Sequence, residues 1–132
     1  TTIRELRRRG SEQRLKETGE ALKRALTDAI HAAGLVGACK GVWSNPYVAL
    51  SLPTGVDPRK ANTLFIQEMA RRGVHTSTSF KATLAHGPED IARTAAAARE
   101  ALGVVREAIE RDAFDRLLVV DLKKEPFRRT VR

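Results

Sequence analysis

Residues 84–91 read Leu84-Ala85-His86-Gly87-Pro88-Glu89-Asp90-Ile91, and the way this stretch must fold organises the chain on either side of it. Proline is at ease at the first position of a helix, because the N–H it lacks would have no intrahelical partner there. Glu89 and Asp90 follow at once, where carboxylates face the positive end of the helix dipole. Gly87-Pro88 therefore predicts a helix start. Downstream, Ile91, Ala95, Ala98, Leu102, Val105 and Ile109 recur at three- and four-residue spacing and make one long apolar stripe. Gly103 is the position at which that helix would break.

Working upstream, residues 74–78 and 80–85 read as two short extended segments. Before them Asp57-Pro58 repeats the helix-start pattern, with Asp57 as N-cap and Pro58 at the first helical position. That helix buries Ala61, Leu64, Phe65 and Met69 and stops at Gly73. Residues 35–40 and 47–52 are strand candidates joined by a turn, Gly41-Val42-Trp43-Ser44-Asn45-Pro46. The first long helix carries Leu15, Leu22, Leu26, Ala29 and Ile30 on one face. Ser11 is its expected N-cap and Gly34 its left-handed C-terminal residue. Gly19 lies inside that helix at a cost of about 1 kcal/mol against alanine, which marks it as a place of close packing. A helical turn over residues 2–9 precedes, broken by Gly10. The order is helix, two strands, helix, two strands, helix. Such an order predicts an α+β domain, a small antiparallel or mixed sheet of three to four short strands covered by helices. Residues 1–112 form the expected packed unit. Residues 113–132 form a basic C-terminal tail with an apolar patch at 117–120.

The chain has 132 residues, 42% of them hydrophobic, enough for one core. No apolar run reaches the roughly 18 residues that a membrane helix needs, and the basic start lacks the apolar stretch of a secretion signal. With Cys39 as the single cysteine no internal disulfide can form, and a cytoplasmic location is the expectation. The net charge of +8 raises nucleic acid as a partner. Much of the excess sits at the ends, in Arg4, Arg7, Arg8 and Arg9 and in Lys123, Lys124, Arg128, Arg129 and Arg132. Only 5% of residues are aromatic and none interleaves with those runs, so no stacking platform is built. Nucleic acid is therefore not the expected partner; an acidic protein surface suits the basic ends better.

Reactive groups are few. His31, His75 and His86 do not fall with Cys39 or an acid at metal-ligand spacing. No phosphate-binding glycine loop, dinucleotide fingerprint or nucleophile elbow occurs. Cys39, in an apolar strand, reads as a small core residue. His86, just ahead of a helix, reads as a hydrogen-bonding partner for a loop or helix end and not as an acid–base group. No catalytic, cofactor-binding or metal-binding residue is expected in this chain.

Between residues 62 and 100, Leu64-Phe65-Ile66-Gln67-Glu68-Met69 leads into Arg72-Gly73-Val74 and then Ala85-His86-Gly87-Pro88-Glu89-Asp90-Ile91. This resembles the C-terminal small domain of class III pyridoxal-phosphate aminotransferases, closest to the glutamate-1-semialdehyde aminomutase group. There a helix ends in an Arg-Gly-Val-like turn, two strands follow, and an Ala-His-Thr-x-Glu-Asp-Ile signature opens the last helix. The resemblance covers roughly residues 3–110 and is sharpest at 85–91. It implies a fold-type I enzyme, a homodimer, whose large domain lies outside this chain. That domain would hold pyridoxal phosphate through a lysine, an acid and a phosphate cup, none of which is matched here. The chain by itself is then not a catalyst of amino-group transfer. The segment between Val74 and His86 is shorter than the aminomutase pattern, and Phe80-Lys81-Ala82 stands where that group has Phe-Glu-Ala at the active-site entrance. The resemblance thus implies Lys81 as a substrate-binding residue for an anionic substrate; the bland reading is an outward-facing strand lysine. Two rival functions remain: a standalone binding or dimerisation module with the same fold, and a nucleic-acid-binding domain.

Overall fold

Two proline-started helices frame the molecule. The computed structural model describes residues 2–8 and 10–122. Helix α1 spans Thr2–Arg8, α2 Ser11–Ala32, α3 Pro58–Arg71, α4 Pro88–Glu110 and the short α5 Phe114–Leu117; strand β1 spans Gly37–Lys40 and β2 Tyr47–Leu50. Asp57 caps α3 as expected, its carboxylate accepting from Arg59 N at 2.8 Å. At the start of α4 the Gly87 amide donates to Asp90 Oδ2 at 2.9 Å. This is the acidic half of a capping box; glycine has no side chain to supply the other half. Helix α4 runs through Gly103 without a break, because its flanking residues bury a continuous face. The expected cap of α2 is displaced by one residue. Gly10 takes the cap in a left-handed conformation (φ 58) and Ser11 is the first helical residue. A side-chain cap needs an extended residue, whereas the sharp turn from α1 into α2 needs the left-handed one that glycine supplies without strain.

The α+β class stands, but the sheet is smaller than the three to four strands expected. β1 and β2 form an antiparallel pair, with Gly37 opposite Leu50 and Lys40 opposite Tyr47. Residues 74–78 and 80–85 are not strands. They touch β2 through an isolated bridge between Tyr47 and Ser79, with Val48 N donating to Thr78 O at 3.0 Å and Phe80 N to Pro46 O at 2.7 Å. Thr78 has a positive φ of 80°, which turns the backbone out of the extended region and stops the pairing there.

The hairpin and α2 meet through Cys39 and Val48, both buried. Helix α2 contributes Leu26 and Ile30 to the core, α3 contributes Leu64, Phe65 and Met69, and α4 contributes Leu102 and Val105. Phe65 is 1% exposed, on the inner stripe where its spacing puts it. Ala98 and Ala101 let α4 approach its neighbours closely, since alanine adds no bulk between backbones. The boundary expected at residue 112 does not coincide with the edge of the packing: Ala113 and Phe114 are buried, and Phe114 belongs to the same core. Gln67 on α3 then grips the following segment, donating to Leu117 O at 2.9 Å and accepting from Val119 N at 2.9 Å. The basic run from Lys123 onward lies outside the described residues. Among the described residues no helix is long and apolar enough to cross a membrane.

Candidate functional site

The N-terminal half of α2, the loop over residues 74–81 and the first turns of α4 enclose a cavity of about 380 Å³. Its walls divide by chemistry. Leu22 and Phe80 are buried and, with Val74 and Ile91, make an apolar floor. Thr18, Ser79 and Thr94 add hydroxyls along the sides, while His75, Lys81, His86 and Asp90 are exposed around the mouth.

Local hydrogen bonds set the shape of that mouth. Thr76 is buried and donates from Oγ1 to Ser79 O at 3.0 Å, closing the loop on itself. A threonine held at positive φ, as Thr78 is, costs on the order of 1–3 kcal/mol and survives only where the surroundings over-determine it. Here the bond from Val48 N to Thr78 O provides that constraint. His86 Nδ1 accepts from Thr83 N at 3.2 Å, which in the neutral ring leaves the proton on Nε2. The histidine thus braces the turn before α4, the loop role that its position suggests. Asp90 is committed to the helix start through Gly87 N. Lys81 stands in the loop and not in a strand, lines the cavity, and has no ion-pair partner among the described residues.

His75, Thr18 and Thr94 carried no signal in the sequence. Each is an ordinary residue of its own element and joins the site only because α2 packs across α4 with the loop laid over both. Histidines 75 and 86 meet Lys81 at one cavity, whereas His31 lies apart, its Nε2 3.0 Å from Gly37 O at the edge of β1.

The remaining reactive groups are structural. Burial pushes the Cys39 thiol up to about 11, with the charge of Lys23 pulling weakly the other way, so it is a core residue and not a nucleophile. Glu68 is buried between Arg71 at 2.9 Å and Arg72 at 2.7 Å, and Arg72 reaches on to Glu100 at 3.0 Å. Burial alone would raise the Glu68 carboxyl, but hydrogen bonds from Arg72 and Gln67, with the nearby arginine charges, hold it below its ordinary value. This network ties α3 to α4. Among the described residues no group of histidine, cysteine and acids could hold a metal ion.

No protein-family model matches the chain, and no curated protein does either. Solved structures do. A transaminase with pyridoxal phosphate bound superposes with a TM-score of 0.66 at 27% identity over 74% of this chain. The FumI protein of Sphingopyxis sp. MTA144, in its pyridoxal phosphate internal aldimine form, superposes with a TM-score of 0.68 at 20% identity over 83% of this chain. The chain has the fold of part of a transaminase. It spans about a quarter of each of those two chains, 24% and 26%.

The described residues do not themselves fit the cofactor. A lysine that condenses with an aldehyde needs its amine desolvated and facing into a pocket. Lys16, Lys40 and Lys81 are exposed, Lys23 pairs with Glu20 and Lys60 with Asp115. The cavity also lacks a glycine-rich or helix-start cradle for a phosphate, because Asp90 already occupies the start of α4.

Proposed function

We propose that this chain is the C-terminal small domain of a pyridoxal-phosphate-dependent aminotransferase of class III, related to the glutamate-1-semialdehyde aminomutase group. The observation that carries the proposal is the superposition on a transaminase with pyridoxal phosphate bound, at 27% identity over 74% of the chain. The run Ala85-His86-Gly87-Pro88-Glu89-Asp90-Ile91 supports the same reading independently. In this reading the cofactor, its lysine and its phosphate cup belong to a large domain, and the working enzyme is a cytoplasmic homodimer. The small domain packs against that large domain and closes over the substrate. Lys81, in place of an acid at the entrance, turns preference from the aminomutase substrate towards an anionic one.

The size of the native polypeptide tests this. An antibody raised against the chain should detect a protein of about 400 residues, the length at which 74% of this chain is 24% of the whole. Borohydride reduction of that protein in the presence of pyridoxal phosphate should trap the cofactor on a lysine outside these 132 residues. A native 132-residue product, or a stoichiometric adduct on one lysine of this chain, overturns the proposal.

A further inference from the structure

The cavity under the 74–81 loop has three properties that together define a ligand. Its volume of about 380 Å³ lies at the small end of the roughly 300–1,000 Å³ of ligand cavities, which suits a small molecule. Its floor of Leu22, Phe80 and Ile91 is apolar, and its mouth is polar. The two charged side chains on its lining are also held differently: Lys81 is unpartnered among the described residues, whereas Asp90 accepts from Gly87 N through Oδ2 at the start of α4, where the helix dipole offsets part of its charge. One free cation, without an arginine on the lining or an amide cradle, matches one negative charge better than the two of a phosphate.

We infer that this cavity binds a small monocarboxylate with a short apolar arm, Lys81 taking the carboxylate and Leu22, Phe80 and Ile91 the arm. The strained loop is part of the device. The positive φ of Thr78 stops the pairing with β2 at one bridge, and residues 74–81 line the cavity instead of extending the sheet. The site rests on the aminotransferase reading only in so far as the carboxylate is called a substrate. Binding can be measured on this chain with no cofactor present, so either claim can fail while the other stands.

The test is titration of the isotope-labelled full chain with hexanoate at neutral pH, followed by amide chemical shifts, with hexanamide and inorganic phosphate as comparison probes. Hexanoate should bind saturably, at roughly millimolar affinity, and move the amides of Thr76, Ser79, Lys81 and Ile91. Hexanamide should bind about tenfold more weakly, and so should hexanoate to Lys81→Gln, since each removes one charge-assisted contact. Lys40→Gln, an exposed lysine on the sheet and away from the cavity, should bind like the parent chain. Equal binding of hexanoate and hexanamide, tighter binding of phosphate, shifts scattered over surface arginines, or an unchanged Lys81→Gln would each overturn the inference. Lys81 is exposed and in a loop, so that variant should fold normally.

Discussion

Gly19 and Gly103 both sit inside helices, and their surroundings make opposite demands on an added methyl group. A Cβ at Gly19 would lie 2.1 Å from Trp43 O, a backbone atom of the turn between the strands that cannot swing aside. Nothing lies within 4 Å of a Cβ at Gly103. Gly103→Ala should therefore stabilise the chain by about 0.5–1 kcal/mol through helix propensity. Gly19→Ala should destabilise it by about 1–3 kcal/mol despite the same propensity gain, because the turn must move. Paired thermal melts check this, and a rise in Tm for both variants would show that α2 does not touch the Trp43 turn. Lys81 is the other residue on which much depends. In the parent enzyme under the proposed function, Lys81→Glu should lower kcat/KM for anionic substrates chiefly through KM, and more at low ionic strength, since a charge at a cleft mouth acts by screened attraction. Steady-state kinetics at two salt concentrations decide; identical, salt-independent parameters would remove Lys81 from any substrate role.

At the scale of elements, α3 and α4 are joined by apolar packing and by the Arg72–Glu100 pair, with Arg72 held in place by a buried carboxylate of α3. Glu68 is 4% exposed, with both of its oxygens engaged by arginines. Its folded-state pKa is lowered from 4.5. A depressed carboxylate contributes stability that is present above the unfolded value and is lost as pH falls through the folded one. Stability should thus be level near neutrality and decline below about pH 4.5, and Glu68→Gln should flatten that decline. The substitution also leaves Arg71 and Arg72 without their buried partner, so it should lower stability at pH 7 as well. Denaturant melts from pH 7 to pH 3 on both proteins test the sign, and parallel curves would rule out Glu68 as the group that titrates. The helix starts themselves were legible beforehand: Asp57-Pro58 and Gly87-Pro88 act through neighbours two or three residues away. The third and fourth strands were misread because a β-like run becomes a strand only when a partner edge accepts it, and the positive φ at Thr78 withholds residues 74–78 from β2.

Across the whole molecule, the packing continues beyond the point where the sequence changes character. Ending the chain after Asp112 would remove Phe114 from the core and the segment that Gln67 holds at Leu117 and Val119. Loss of one buried phenylalanine costs about 3–5 kcal/mol, so such a chain should melt far below one ended after Leu122. Equal midpoints would restore the boundary at residue 112. The α+β class, the helix starts at Asp57-Pro58 and Gly87-Pro88 and the inward face of Phe65 were determined by the sequence alone. Each follows from spacing within one element, where 3.6-residue periodicity and capping act locally. The cavity was decided only by the tertiary structure. Thr18, His75, Lys81 and Thr94 come from α2, a loop and α4, and no local rule relates their positions. They meet because α2 crosses α4 over small side chains while a strained loop, denied a place in the sheet, lies across both.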